Sequence, residues 1–222
     1  MKDLTLELAE KGYLHLENIK SPFEFAQEFG KLQPQYGGKM VWDVKADPKF
    51  DDLYHSLNTK KLFPHTECYE FQGRPPRYLV LWCIEPGKDE EGGETTLFDM
   101  ANHISLNYPE DFVESLKEKK FNFCSSSGVR KSNLGEVALN PFIETEGDHQ
   151  IHRFSLNNVD LKEEKAVKDF CSDIHDKFEK SKIEIQWKKG GFLIWDNHRM
   201  LHSRNEYFDR DRTLQRVWLI EN

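Results

Sequence analysis

The chain has 222 residues, of which 37 % are hydrophobic, 13 % aromatic and 32 % charged, a composition that suits one globular domain with a sizeable core. A net charge of −8 argues against a nucleic-acid partner or an anionic membrane surface, because both draw affinity from Lys and Arg. No apolar stretch approaches the roughly 20 residues that cross a bilayer, and MKDLTLELAEKGYLHL lacks the apolar run of a signal peptide, so a cytoplasmic location is expected.

In chain order, DLTLELAEKG predicts a short helix ending at Gly12, and YLHLENI a strand. Ser21-Pro22 offers an N-cap with proline at the first helical position, which predicts a helix through PFEFAQEFGKL. From Val41 the texture changes to short apolar runs rich in Val, Ile, Phe, Tyr and Trp, bounded by Gly, Pro and Asn. The clearest runs cover Tyr78 to Ile84, Phe121 to Cys124, Val137 to Glu144, Ile183 to Trp187, Phe192 to Trp195 and Leu214 to Ile220. Turns such as EPGKDEEGG and KKGG between them predict antiparallel strands in a sandwich or barrel. Helical insertions are expected at Asn102 to Lys119, with Pro109 at a helix start, and at Leu161 to Ser181. In the second, Ala166, Phe170, Ile174 and Phe178 recur every fourth residue and predict one buried stripe. Cys68, Cys83, Cys124 and Cys171 stand apart without a CxxC pair and are expected as free thiols.

His65-Thr66-Glu67 sets two metal-ligating side chains two residues apart, and in an extended segment both face one side. Alone the pair is a weak signal, since a hydrogen-bonded surface histidine is the commoner case. Its company is more informative. DNHRMLH supplies histidines at His198 and His202, and two histidines with one carboxylate form the facial set of non-haem iron(II) oxygenases. Downstream, Arg212 and Arg216 stand four apart and share a face if the segment is extended, where a guanidinium fork matches a carboxylate. A surface pair bridged to Glu206, Asp209 or Asp211 is the alternative. Gly92-Gly93 permits a tight turn into Thr95, whose hydroxyl can donate to a carboxylate.

Together, LFPHTECYEFQGRPPRYLVLWC, GGETTLFD and GGFLIWDNHRMLHSRNEYFDRDRTLQRVWL resemble the taurine dioxygenase (TauD/TfdA) and clavaminate synthase-like branch of the iron(II)/2-oxoglutarate dioxygenases. The resemblance covers nearly the whole chain. It implies a mainly β fold with flanking helices, a double-stranded β-helix (jelly roll, cupin-like). One domain over 1–222 is expected, with a helical lead at 1–38 and a jelly-roll core with helical insertions at 39–222. The resemblance further implies His65, Glu67 and His202 as iron(II) ligands, with His198 facing away from the metal. Arg212 and Thr95 match the residues that hold the distal carboxylate of 2-oxoglutarate, and Arg216 matches one that holds an anionic group of the substrate.

The implied reaction consumes 2-oxoglutarate and O2, releases succinate and CO2, and hydroxylates or desaturates a small-molecule substrate. Glu67 disfavours halogenation, because halogenases of this fold leave that position to halide. Glu also stands where many members carry Asp, and in so short a chain the lid of longer members is either trimmed or supplied by Ser125 to Leu139. Arg204, Arg216 and the acidic run Asp89 to Glu91 suggest a charged, carboxylate-bearing substrate such as an amino acid, with Tyr69, Phe71, Trp82 and Trp195 as candidate lining. Two other classes fit parts of the pattern: a non-catalytic metal- or ligand-binding jelly roll, and a zinc hydrolase with the same triad. Arg212 and Thr95 speak against the hydrolase, which needs no dicarboxylate cradle. Nothing in the sequence fixes an oligomeric state.

Overall fold

The computed structural model describes residues 2–88, 92–161 and 164–221. Helix α1 (Lys2–Lys11) ends where Gly12 adopts φ +79°, and β1 (Tyr13–Leu16), α2 (Pro22–Ala26), β2 (Lys31–Gln33) and β3 (Trp42–Lys45) follow. After a long irregular stretch come β4 (Tyr78–Glu85), β5 (Thr95–Asp99), α3 (Met100–Asn107), α4 (Glu110–Glu118), β6 (Lys120–Cys124), α5 (Ser127–Lys131) and β7 (Val137–Pro141). The chain then forms β8 (Ile143–Glu146), β9 (His149–His152), β10 (Val159–Asp160), α6 (Lys165–Ser181), β11 (Ile183–Ile185), β12 (Phe192–Asp196), β13 (Met200–Arg204) and β14 (Thr213–Ile220).

Several antiparallel sheets with flanking helices make up the architecture. The largest has the order β1-β12-β4-β14-β2, with β3 also on β14. Sheets β11-β5-β13 and β10-β6-β7 and the pair β8-β9 complete the set. Alternation sorts the side chains of the large sheet. Leu79, Leu81, Leu193, Trp195 and Leu214 point to a core shared with Leu97, Ile185 and Met200 of the β11-β5-β13 sheet. Val80, Trp82, Ile194, Val217 and Leu219 point the other way, onto Leu8 and Ala26 of α1 and α2. A third core lies beyond β5 and β13, where Phe98 and Leu201 meet α3, α4 and α6. A strand buried on both faces carries a continuous apolar run, which is why YLVLWCI reads so clearly.

Four local expectations are corrected. The helix from Pro22 stops at Ala26, and Ser21 makes no side-chain cap. Lys31–Gln33 are instead drawn into a ladder with Trp218–Ile220, where a Cβ on Gly30 would come within 2.3 Å of the Ile220 carbonyl oxygen. The insertion expected at Asn102 to Lys119 begins earlier, at Met100, and divides into two helices, with Pro109 at the start of the second as expected, because the proline forces an extended predecessor. The run Val137 to Glu144 breaks at Phe142 into strands that pair with different partners, β6 and β9. In α6 the buried stripe starts at Val167 and includes Cys171, whereas Ala166 is exposed.

Candidate metal centre

His65 lies in an extended stretch outside the named strands and forms an isolated antiparallel bridge with His202 of β13. His65 N donates to His202 O at 3.0 Å, and His202 N donates to His65 O at 2.9 Å. Residues directly opposed in such a bridge carry their side chains on one face. The two imidazoles therefore meet, with ring centroids 4.2 Å apart. Glu67, two residues on, returns to the same side and brings Oε2 to 3.7 Å from His202 Nε2. One ligating atom from each of His65, Glu67 and His202 lies within 4.8 Å of the others, and no other such group occurs among the described residues.

The imidazoles are prepared for a metal. His65 Nδ1 lies 2.8 Å from the Phe63 carbonyl, an acceptor that places the proton on Nδ1 and leaves Nε2 as a free donor of electrons. Burial holds the pKa of His65 below its ordinary value and that of His202 well below it, which favours the neutral, ligating form. His202 Nδ1 is buried without a protein partner. Two neutral imidazoles and a carboxylate are a donor set that suits iron(II).

Asn197, Thr66 and Gln35, none of them singled out in the sequence, hold this arrangement together with Arg216. Asn197 Oδ1 accepts from Glu67 N at 2.6 Å, while its Nδ2 donates to Glu67 O at 3.1 Å and Pro76 O at 3.0 Å. Its only sequence signal is an Asn in the turn between two strands. Thr66 is fixed from the opposite side, donating its N–H to Phe154 O at 3.0 Å and accepting from Phe154 N at 3.1 Å. Arg216 Nη1 donates to Glu67 Oε1 at 2.7 Å and its Nε to Gln35 Oε1 at 2.8 Å, so Gln35 orients the guanidinium.

Two cavities meet at the triad. One is lined by His65, Glu67, Tyr69, Glu70 and Arg216, with Ser126 and Val129 of the 125–139 segment in its wall. The other is lined by His202, Thr95, Arg204, Arg212 and Arg216 against the apolar floor of Leu79 and Leu81. Arg212 is 2 % exposed. Its Nη2 donates to Gly93 O, and its Nε and Nη1 are buried without a protein partner. A Cβ on Gly93, whose φ is +74°, would lie 2.7 Å from Arg212 Nε, so only glycine admits the guanidinium here. Burial also pulls the Arg212 pKa below its ordinary value, the mark of a cation held out of water. Thr95 Oγ1 accepts from Trp187 Nε1 at 3.1 Å, which leaves the hydroxyl proton free to donate into the cavity.

Arg212 and Arg216 share one cavity, as the i, i+4 spacing implies. Arg204 lines it too, but its Nη1 and Nη2 donate to Ser56 O, Asn58 Oδ1 and Lys60 O, tying β13 to the distant 56–60 stretch. Tyr207 is clasped between Arg204 and Arg212, each guanidinium carbon 4.9 Å from its ring centre. His198 is buried and turned from the triad, its Nε2 donating to Pro75 O at 3.0 Å and its Nδ1 lying 2.8 Å from His149 Nε2. Trp195 lines the second cavity, while Trp82 faces α1 and α2 and lines neither. Phe71 packs at the edge of the core beside Trp218, away from both. Asp89 to Glu91 lie outside the described residues.

A model of the taurine catabolism dioxygenase TauD, TfdA family matches residues 8–218. The chain belongs to that family. Gamma-butyrobetaine dioxygenase of Homo sapiens is 25 % identical over 182 residues, 75 % of this chain and 45 % of the relative. The chain thus spans less than half the length of that relative. The 3-((Z)-2-isocyanoethenyl)-1H-indole synthase of Fischerella ambigua (strain UTEX 1903) is 23 % identical over 215 residues, 87 % of this chain and 77 % of the relative. Among solved structures, asparagine oxygenase in complex with Fe(II), 2S,3S-3-hydroxyasparagine and succinate superposes with a TM-score of 0.77 at 18 % identity, over 99 % of this chain and 80 % of that one. The non-heme iron oxygenase OrfP in complex with Fe and alpha-ketoglutaric acid gives 0.69 at 16 % identity, over 100 % and 80 %. At these identities the structural likeness establishes the fold. Among the described residues no helix is long and apolar enough to cross a membrane.

Proposed function

We propose that this TauD/TfdA family member is an iron(II)- and 2-oxoglutarate-dependent dioxygenase that hydroxylates or desaturates a small, carboxylate-bearing substrate such as an amino acid. In this reading the whole of 1–222 is one catalytic domain with a double-stranded β-helix core behind the 1–38 lead. The likeness to asparagine oxygenase and OrfP, whose complexes hold hydroxylated amino acids, supports both the core and the substrate class.

His65, Glu67 and His202 are the proposed iron ligands, and the single observation that carries the proposal is their convergence within 4.8 Å. Arg212 and Thr95 are proposed to take the distal carboxylate of 2-oxoglutarate. Two unpaired nitrogens on a buried guanidinium constitute an anion site awaiting its anion, because leaving such donors dry costs free energy that a carboxylate restores. A hydrolytic metal site would have no use for them. Bound iron(II) with this keto acid and oxygen supplies oxidative decarboxylation to succinate and CO2, coupled to oxidation of a substrate C–H bond.

The protein's own part is placement and exclusion. Leu79 and Leu81 keep water from the floor of the keto-acid cavity, and Trp187 sets the direction in which Thr95 donates. Arg216 neutralises Glu67 from behind and stands at the junction of both cavities, where a substrate carboxylate has a cation to meet. The test is succinate release from 2-oxoglutarate, with a panel of free amino acids and sulfonates as candidate substrates. Stimulated release that disappears in His65→Ala, Glu67→Ala and His202→Ala proteins is expected. Undiminished turnover in the Glu67→Ala protein would remove that ligand.

A further inference from the structure

The cavity beside the triad contains a carboxyl group for which the dioxygenase reaction has no use. Cys68 adopts φ +58°, and the turn it begins brings Glu70 back to the cavity that His65 and Glu67 line. Glu70 is 3 % exposed. Its Oε1 accepts from Ser125 Oγ at 2.9 Å, and its own backbone N–H faces the carboxylate as well. No arginine or lysine among the described residues pairs with it. The one guanidinium in the same wall, Arg216, gives Nη1 to Glu67 and Nε to Gln35 and none of its nitrogens to Glu70.

A purely structural role accounts poorly for this carboxylate. Ser125 is already fixed by Glu136, whose N–H donates to Ser125 Oγ at 2.8 Å and whose carbonyl accepts from Ser125 N at 3.0 Å. An acid adds nothing there that a neutral acceptor would not. Burying a carboxyl without a countercharge is costly, and burial raises the Glu70 pKa to about 7. An incoming cation removes that cost. The surroundings suit one: Tyr36, Trp42, Tyr54 and Tyr69 line the same cavity, and aromatic faces attract cations.

Resting on the dioxygenase reading above, we propose that Glu70 is a specificity-determining residue that receives a protonated amine of the substrate. The substrate class is accordingly an organic ammonium compound, held by an ion pair at Glu70 beside the metal ligands. A carboxylate lacking an amine is not a substrate.

The experiment uses the full chain loaded with iron(II) and 2-oxoglutarate. Formation of the weak visible absorption band of that complex without oxygen checks the underlying reading first. Succinate release is then measured with free amino acids, each beside its Nα-acetyl derivative, and with alkylamines. Compounds that stimulate release are expected to carry a free amine, and acetylation at the recognised amine is expected to abolish stimulation. Glu70→Gln should raise KM for the stimulating amine at least tenfold while the absorption band still forms, and Glu70→Asp should recover part of the loss. The proposal is overturned if acetylated and amine-free carboxylates stimulate as well as amines, if no amine stimulates, or if Glu70→Gln leaves KM unchanged. The acetylation comparison needs no variant and decides the matter even if Glu70→Gln does not fold. Absence of the band in wild-type protein would overturn the dioxygenase reading, and this proposal with it.

Discussion

Asn197 grips the backbone of Glu67 with both ends of its side-chain amide, receiving its N–H at 2.6 Å and donating to its carbonyl at 3.1 Å. Glu67, which lies outside the named strands, is thereby fixed as firmly as a residue in a ladder. Removing the amide should loosen the proposed metal site before it harms the fold. Asn197→Ala is expected to weaken iron(II) binding by about 10–100-fold, the usual cost of losing a partner behind a ligand. Leaving Glu67 N–H unpaired should lower stability by about 1–3 kcal/mol. Anaerobic iron titration beside urea unfolding separates the two, and unchanged iron affinity would deny Asn197 this role.

Arg212 and Gly93 form a second dependent pair. Arg212→Ala should weaken 2-oxoglutarate binding by about 2–5 kcal/mol, because the distal carboxylate would be buried without its cation. Gly93→Ala should do comparable damage without touching a charge, since its Cβ would stand 2.7 Å from Arg212 Nε. Dissociation constants for 2-oxoglutarate check both. An Arg212→Ala protein that binds the keto acid normally would place the anion site elsewhere.

Thr95 should matter less. Thr95→Val removes one neutral hydroxyl donor, worth about 0.5–1.5 kcal/mol. Trp187→Phe frees the Thr95 oxygen from its 3.1 Å partner and should weaken keto-acid binding in the same direction but by less. Measured KM values for 2-oxoglutarate that do not respond to Thr95→Val would exclude the hydroxyl from the site.

Stability should fall on mild acidification. Burial pushes the pKa of His152 down from 6.5 to about 4 and that of His198 down from 6.5 to about 3. The unfolded chain takes up these protons near pH 6.5 while the folded chain refuses them. The stability contributed by the neutral histidines is therefore present above pH 6.5 and is lost as pH falls towards 4, on the order of 3 kcal/mol for His152. Asp196 opposes this, because burial raises its pKa from 3.8 to about 6 and the folded state keeps its proton longer. His152→Asn keeps a donor for the His198 carbonyl, so unfolding at pH 7 and pH 5 should show a shallower loss than in wild type. An equal loss would place the pH dependence elsewhere.

Much of this was legible in the sequence because strong periodicity and rare motifs report directly on burial. YLVLWCI becomes β4, buried on both faces, and the His65-Glu67 pair meets the distant His202 in space. What escaped reading depended on tertiary partners. Lys31–Gln33 have no intrinsic signal for the ladder with Trp218–Ile220 that ends the helix early. Asn197, Gln35 and Trp187 are unremarkable until the fold carries them to Glu67, Arg216 and Thr95. Arg204 shows the converse, a charge conspicuous in sequence that two of its nitrogens spend on loop carbonyls and Asn58.

His65, Glu67 and His202 are proposed to bind one iron(II) ion beside a keto-acid site governed by Arg212. The most direct measurement is an anaerobic titration of the metal-free protein with iron(II) and 2-oxoglutarate, followed in the visible. A weak charge-transfer band should appear only when both are present, vanish in His202→Ala, and require more 2-oxoglutarate in Arg212→Ala. A band of unaltered strength in the His202→Ala protein, or none in the wild type, would contradict it.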